Sequence, residues 1–368
     1  MRVTVVLPQS MKFPAGGYLV HYRYAETLAS LGHATTVIHP WSHSSPQLRD
    51  LPLCALTLTR QVAIPKRIVP WHVFTPGVRV LPTPWLHHAF LPRADVTLLS
   101  GWQTSERIHH RSAHTGPLVQ LVYDYEHWAT ATPSDRERIS KALSYPEIVR
   151  VAGSRVIQTM LHGFGASVAT TITAGLDTAR FRVLVEPDRR QRLVGFAARP
   201  GPHRGLEDVL AALEIARSTT PAIQVHAFGS AEPSTLPHWV HFARYIPDEL
   251  LPAFYNRCAV FVLPSHYEGW GLPAAEAMAC GAAVVTTANG GTEEFAIDGI
   301  TALVVPRGNP EALAGAVVHL FDDDRQRISL ANTGAQRASS MSWERSAEAL
   351  LNVFEHVTAR ASGKGLWR

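Results

Sequence analysis

From Leu193 onward the chain alternates short, unbroken apolar runs with segments of helical periodicity, and this alternation narrows its fold more than any other feature. The runs Leu193–Ala197 and Val260–Leu263 have no polar side chain, Ala283–Thr287 has only its closing threonines, and Ile223–Phe228 is a further strand candidate interrupted by Gln224 and His226. Strands of that kind must be covered on both sides, as in a parallel sheet flanked by helices. The helices are expected over Leu206–Arg217, Asp248–Cys258 and Pro273–Cys280, with further ones at Pro310–Phe321 and Trp343–Val357. The opening of the chain repeats the theme: a strand at Val3–Leu7, a helix at Tyr18–Leu31 stopped by Gly32, and a strand at Thr35–Ile38. Val96–Leu99 and Leu118–Tyr123 read as two more buried strands. The fold class is therefore α/β with two doubly wound units.

Two units also follow from length, because 368 residues exceed the roughly 250–300 at which one core stops growing. A polar, arginine-rich stretch with Pro187 interrupts the pattern between Gly175 and Arg192. The expected division is 1–176, then 177–342, with a closing helix in 343–368 that packs back on the first domain. Residues 42–92, rich in Pro, Trp and His, show no sustained period and receive no element. Trp41, Trp71, Trp85, Trp102 and Trp128 crowd this half; they suit core packing for the most part, or a surface on which a sugar could stack.

Composition excludes several classes. Hydrophobic residues make up 46% and charged residues 17%, and the net charge of +4 is dispersed without a basic run; nucleic acid is not an expected partner. Cys54, Cys258 and Cys280 are isolated, so neither a disulfide framework nor a zinc site is expected, and a reducing cytoplasm suits them. His87–His88 and His109–His110 are adjacent pairs whose rings should point apart, which argues against a metal site. The apolar opening is cut by Pro8, well short of the ~20 residues of a membrane span; surface contact with a membrane stays open.

The chemistry concentrates in Pro264-Ser265-His266-Tyr267-Glu268-Gly269-Trp270-Gly271-Leu272-Pro273-Ala274-Ala275-Glu276, directly after a predicted strand. With Pro273 in the first turn of a helix and Gly281 past its end, the loop sits at the carboxyl edge of a sheet against a helix N-terminus, where anions bind. Amides near Gly271 and Leu272 would hold a phosphate. Glu268 in the loop and Glu276 in the first helical turn can face one crevice; read alone, they are an exposed loop glutamate and a helix-start glutamate favoured by the dipole. Arg199 and Arg204 lie in another strand-to-helix loop, and Gly16-Gly17 in a third, near the N-terminus. The absence of GxGxxG there disfavours a nicotinamide dehydrogenase.

The frame Pro-Ser-x-x-Glu-Gly-x-Gly-Leu-Pro-x-x-Glu, with the Glu-x7-Glu pair Glu268 and Glu276, resembles the signature of family 4 glycosyltransferases. Gly290-Gly291-Thr292-Glu293-Glu294, Asp298-Gly299 and Leu303-Val304-Val305-Pro306 fit the same family. The resemblance implies a GT-B fold, two facing Rossmann-like domains with an interdomain cleft. It also implies a retaining, metal-independent transfer from a nucleotide-diphosphate sugar, with no cofactor. Glu268 would engage the donor sugar and Glu276 the ribose. Arg199 and Arg204 would clamp the diphosphate, and Gly16, Gly17, Gly271 and Leu272 would approach sugar or phosphate. Tyr245 and Ile246 would meet the base through main-chain groups, which carry no code for its identity. Where many members have a histidine, Tyr123-Asp124-Tyr125-Glu126-His127-Trp128 resembles a rhamnosyltransferase-like branch, making Asp124 a catalytic candidate and Glu126 and Trp128 acceptor-side candidates; it suggests rhamnose on a deoxythymidine carrier. The acceptor would be a carbohydrate, a lipid-linked sugar or a natural product. The alternatives are another reaction on a sugar nucleotide, such as epimerisation or cyclitol coupling, and a non-catalytic sugar-nucleotide sensor.

Overall fold

The computed structural model describes residues 1–11, 15–42, 69–110, 114–123, 125–199, 201–229 and 236–361. The chain divides into two compact units, Met1–Ala174 together with Trp343–Arg368, and Gly175–Ser342.

The first unit is built on a seven-stranded parallel sheet: β1 (Arg2–Val6), β2 (Ala34–Ser42), β3 (Val78–Trp85), β4 (Val96–Ser100), β5 (Leu118–Val122), β6 (Ile148–Ala152) and β7 (Val168–Thr171), in the spatial order β3-β2-β1-β4-β5-β6-β7. Its crossovers carry α1 (Gly16–Ser30), α2 (Trp102–Arg107), α3 (Tyr125–Thr130), α4 (Pro133–Ser144) and α5 (Arg155–Gly163). β4 and β5 are buried along their whole length, as unbroken apolar runs require. β3 lies in the stretch that carried no period. It contains Pro82 and Pro84 and runs along the edge of the sheet, where a missing N–H costs no ladder bond. Val6, Ile38, Leu99 and Leu118 form one packed layer, and Val122, Ile139, Leu143, Ile157 and Leu161 another.

The second unit repeats the plan with six parallel strands: β8 (Leu193–Ala197), β9 (Gln224–Gly229), β10 (Val240–Arg244), β11 (Val260–Leu263), β12 (Ala283–Thr287) and β13 (Ala302–Val305), ordered β10-β9-β8-β11-β12-β13. Its helices are α6 (Leu206–Thr219), α7 (Leu251–Arg257), α8 (Leu272–Ala279), α9 (Pro310–Asp322) and α10 (Asp324–Ser339). Phe196, Val209, Leu213, Val262, Val285, Val317 and Leu320 are its core. The helix expected over Asp248–Cys258 is instead a 3-10 turn, Asp248–Leu250, followed by α7, because Pro252 belongs in a first turn and resets the start.

The last described helix, α11 (Trp343–Ala361), belongs to the first unit. Trp343 meets Tyr24 edge to face at 5.4 Å, and the Ser346 hydroxyl donates to the Thr173 carbonyl at 2.9 Å. Among the described residues no helix is long and apolar enough to cross a membrane. In each sheet the strand order reverses once, between β1 and β4 and between β8 and β11. In doubly wound sheets ligands bind beyond the carboxyl ends of the strands at such a reversal.

Candidate functional site

At the β8/β11 reversal of the second unit, three loops crowd together because glycines let them. Arg199 follows β8 by two residues; Gly201 (φ 113°) opens the 3-10 turn Pro202–Arg204, and Gly205 (φ 66°) closes it and starts α6. A Cβ on Gly205 would lie 2.2 Å from the Pro264 carbonyl oxygen, so only glycine allows this loop to rest on the chain leaving β11. The loop after β12 presses in from the other side. The Glu268 amide donates to the Asn289 carbonyl at 3.1 Å, and a Cβ on Gly291 would sit 2.5 Å from the Trp270 nitrogen.

This convergence brings Arg199, Arg204 and Glu268 into one cluster, from residues 69 and 64 positions apart in the chain. An Nη of Arg199 donates to a Glu268 carboxylate oxygen and, at 2.9 Å, to the Ser265 hydroxyl. Arg204 donates to both Glu268 oxygens at 3.1 Å. Glu268 is only 4% exposed, so it is not the open loop glutamate that its position alone suggests. Burial is the largest single influence on its proton affinity and favours the neutral acid. The two guanidiniums, joined by hydrogen bonds from Arg199 and Ser265, outweigh it and hold the carboxyl below its usual range. The Nε of Arg199 is buried without a partner. A buried donor left unmade costs about 1–3 kcal/mol, which an acceptor brought by a ligand would recover.

Glu276 has a different partner. Helix α8 starts at Leu272 with Gly271 as its cap, so Glu276 is the fifth helical residue and lies in the second turn, not the first. It is 9% exposed and accepts the Tyr255 hydroxyl at 2.9 Å. The phenol is held far above its ordinary range by burial first and by this carboxylate second. Burial, with the Glu276 charge added, also pushes the Cys280 thiol up to about 12. Tyr255→Phe removes the hydrogen bond that pairs these two buried side chains, and is expected to lower unfolding free energy by about 1–3 kcal/mol. Urea denaturation checks this, and a stability equal to wild type would mean that the carboxylate does not lean on Tyr255.

Other expected residues fall as follows. Gly271 takes φ 95°, and a Cβ there would meet Thr292 at 2.6 Å; Leu272 is the first helical residue behind it. Tyr245, just past the edge strand β10, has φ 52°, the one positive φ outside glycine among the described residues; its amide donates to the Gly229 carbonyl at 2.8 Å, and Ile246 follows. Gly16 and Gly17 open α1 in the first unit; both are exposed, and nothing lies within 4 Å of a Cβ on either. Asp124 lies outside the described residues. Glu126 and Trp128 sit on α3, and Trp128 is taken up in packing, with the Arg136 guanidinium 5.2 Å from its ring centre and Phe164 edge-on at 5.6 Å. Trp102 is buried, whereas Trp41 is 44% exposed.

The adjacent histidines do not splay apart as strand or helix geometry would have them. His87 and His88 stack at 4.2 Å where His87 caps the 3-10 turn His88–Phe90, and His109 and His110 lie at 4.0 Å in irregular chain. No three His, Cys, Asp or Glu side chains among the described residues group so as to hold a metal ion. Sequence reasoning gave no role to Ser265, Asn289 or Tyr255. The first two stand inside or beside quoted motifs, whereas Tyr255 carries no local signal at all.

Residues 178–337 match the family model described as glycosyl transferases group 1. Among curated proteins, a D-inositol 3-phosphate glycosyltransferase of Thermomonospora curvata is 29% identical over 215 residues, 52% of this chain and 49% of that protein. The chain spans half or less of the length of the first such relatives. Among solved structures, a sucrose-phosphate synthase from Thermosynechococcus elongatus superposes with a TM-score of 0.76 at 17% identity, covering 98% of this chain and 99% of that one. HepE of Anabaena, solved in complex with UDP-glucose, gives 0.71 at 15% identity, covering 97% of this chain and all of its own. The fold is the GT-B fold that the motif led one to expect.

Proposed function

We propose, from a second unit whose residues 178–337 match the group 1 glycosyl transferases, that this protein is a retaining glycosyltransferase. It moves a sugar from a nucleotide-diphosphate donor to an acceptor hydroxyl. The observation that carries the reading is the Arg199–Glu268–Arg204 cluster at the β8/β11 reversal. Departure of a nucleoside diphosphate builds negative charge in the transition state, and fixed guanidiniums stabilise such charge without a metal ion. Arg199 also has a buried donor to spare for it. Glu276, its orientation set by Tyr255, faces the ribose, while Gly271 and Leu272 at the head of α8 meet the phosphate or sugar. The main chain at Tyr245 and Ile246 meets the base. In the first unit, Gly16 and Gly17 are the candidates for contact with phosphate or sugar, and Asp124 and Glu126 the candidates for contact with the acceptor. The buried, unpaired thiols of Cys258 and Cys280 suit work in the cytoplasm, beside a membrane if the acceptor is lipid-linked.

Calorimetric titration with UDP, GDP, ADP and dTDP in the presence of a chelator tests this reading. Binding of one nucleotide without divalent ions is the expected result and names the donor class; dTDP would favour rhamnose, UDP the donor seen with HepE. If none binds, or if binding demands a divalent ion, the reading of these residues is wrong.

A further inference from the structure

We propose that Glu268 is an internal counter-ion: it fills the two-arginine anion site while no donor is present, and the diphosphate of an incoming sugar nucleotide displaces it. The proposal rests on the donor-site reading given above and deepens it, because it adds how the site selects between substrate and product. One carboxylate cannot be the best partner of two guanidiniums, one donating to a single oxygen and the other shared over both. A diphosphate offers more oxygens and more charge, and bidentate guanidinium contacts favour such groups.

Displacement has a cost, since Glu268 is 4% exposed and a carboxylate that loses its cations in a dry site is unfavourable. A sugar nucleotide covers that cost because its sugar hydroxyls donate to the released carboxylate. Inorganic pyrophosphate has no sugar hydroxyls, and those of a free nucleoside diphosphate are on the ribose, which belongs to Glu276 in this reading, so Glu268 works against both. The carboxylate thereby weakens product binding relative to donor binding, which aids release after transfer. The unpartnered Nε of Arg199 fits the same picture, for Glu268 and Ser265 leave that donor unused.

A residue that merely glued the two loops together would behave in the opposite sense. Its neutralisation would loosen Arg199 and Arg204, and anions would bind more weakly. The test is calorimetric titration of wild type, Glu268→Gln and Glu268→Asp with inorganic pyrophosphate, UDP and UDP-glucose. Glu268→Gln is expected to bind pyrophosphate about tenfold more tightly than wild type, the scale of one charge-assisted hydrogen bond released. It should also lose the preference for sugar nucleotide over nucleoside diphosphate. Glu268→Asp, whose carboxylate is drawn back by one methylene, is expected to move the same way by a smaller factor, and it serves alone if the glutamine variant does not fold. Unchanged or weaker pyrophosphate binding in the folded variants overturns the counter-ion. Pyrophosphate carries neither base nor sugar, so it reports on the counter-ion whether or not the nucleotides bind. Failure of UDP, GDP, ADP and dTDP to bind the wild type strikes the donor-site reading instead.

Discussion

A Gly205→Ala protein is expected to unfold about 3 kcal/mol more easily than wild type and to lose nucleoside-diphosphate binding. Roughly 1 kcal/mol comes from holding alanine in the left-handed region, and about 1–3 kcal/mol from forcing an extra carbon into filled space. The filled space here is backbone: the added Cβ would lie 2.2 Å from the Pro264 carbonyl oxygen, which cannot rotate away as a side chain might. The loop bearing Arg204 must then lift off the chain that leads to Glu268. Denaturant melts and a nucleotide titration on the same preparation would check both effects. A variant within about 0.5 kcal/mol of wild type, the span of inconsequential surface changes, would show that the two loops do not touch as described.

Arg204→Ala should leave the fold standing and sharply lower turnover. Glu268 keeps Arg199 and Ser265 as neighbours, so the buried carboxylate is not abandoned. The departing diphosphate, however, loses one of two fixed cations. Removing a preorganised donor of this kind typically lowers kcat by about 10²–10³-fold, which sugar-nucleotide hydrolysis or transfer would register. Arg204→Lys should fall between, since an ammonium restores the charge but lacks the planar set of donors with which a guanidinium can hold a phosphate bidentately. Turnover of Arg204→Ala within tenfold of wild type would remove Arg204 from the proposed chemistry.

How much of the molecule is legible in its sequence depends on where each residue has to look for its partners. β8 and β11 have the boundaries that the apolar runs predict, because a strand buried on both faces is apolar along its length and stops where it emerges; β12 also keeps its expected bounds, although it closes on the buried Thr286 and Thr287. The edge strands carry no such mark. Only Val240 of β10 is buried, and β3 holds two prolines that speak against a strand unless one knows it lies on the rim. At the site, Glu268, Arg199 and Arg204 each stand out in the sequence, yet their mutual ion pairing does not. It joins loops more than sixty residues apart, and the contact depends on Gly205 and Gly291 allowing backbones to touch. Tyr255 is hidden for a plainer reason: an aromatic in a helix looks like core, and its ring is core; only its hydroxyl, aimed at Glu276, does anything else.

The return of α11 to the first unit has a bearing on synthesis. The strands and helices of the second unit lie between residues 175 and 342 without interruption, whereas the first unit needs Trp343 against Tyr24 and Ser346 against Thr173. The first unit is therefore complete only once α11 has been made, after all of the second unit. A nascent chain stopped at Ser342 would carry a complete second unit beside a first unit whose Tyr24 face is still uncovered, so chaperone demand should fall on the amino-terminal half.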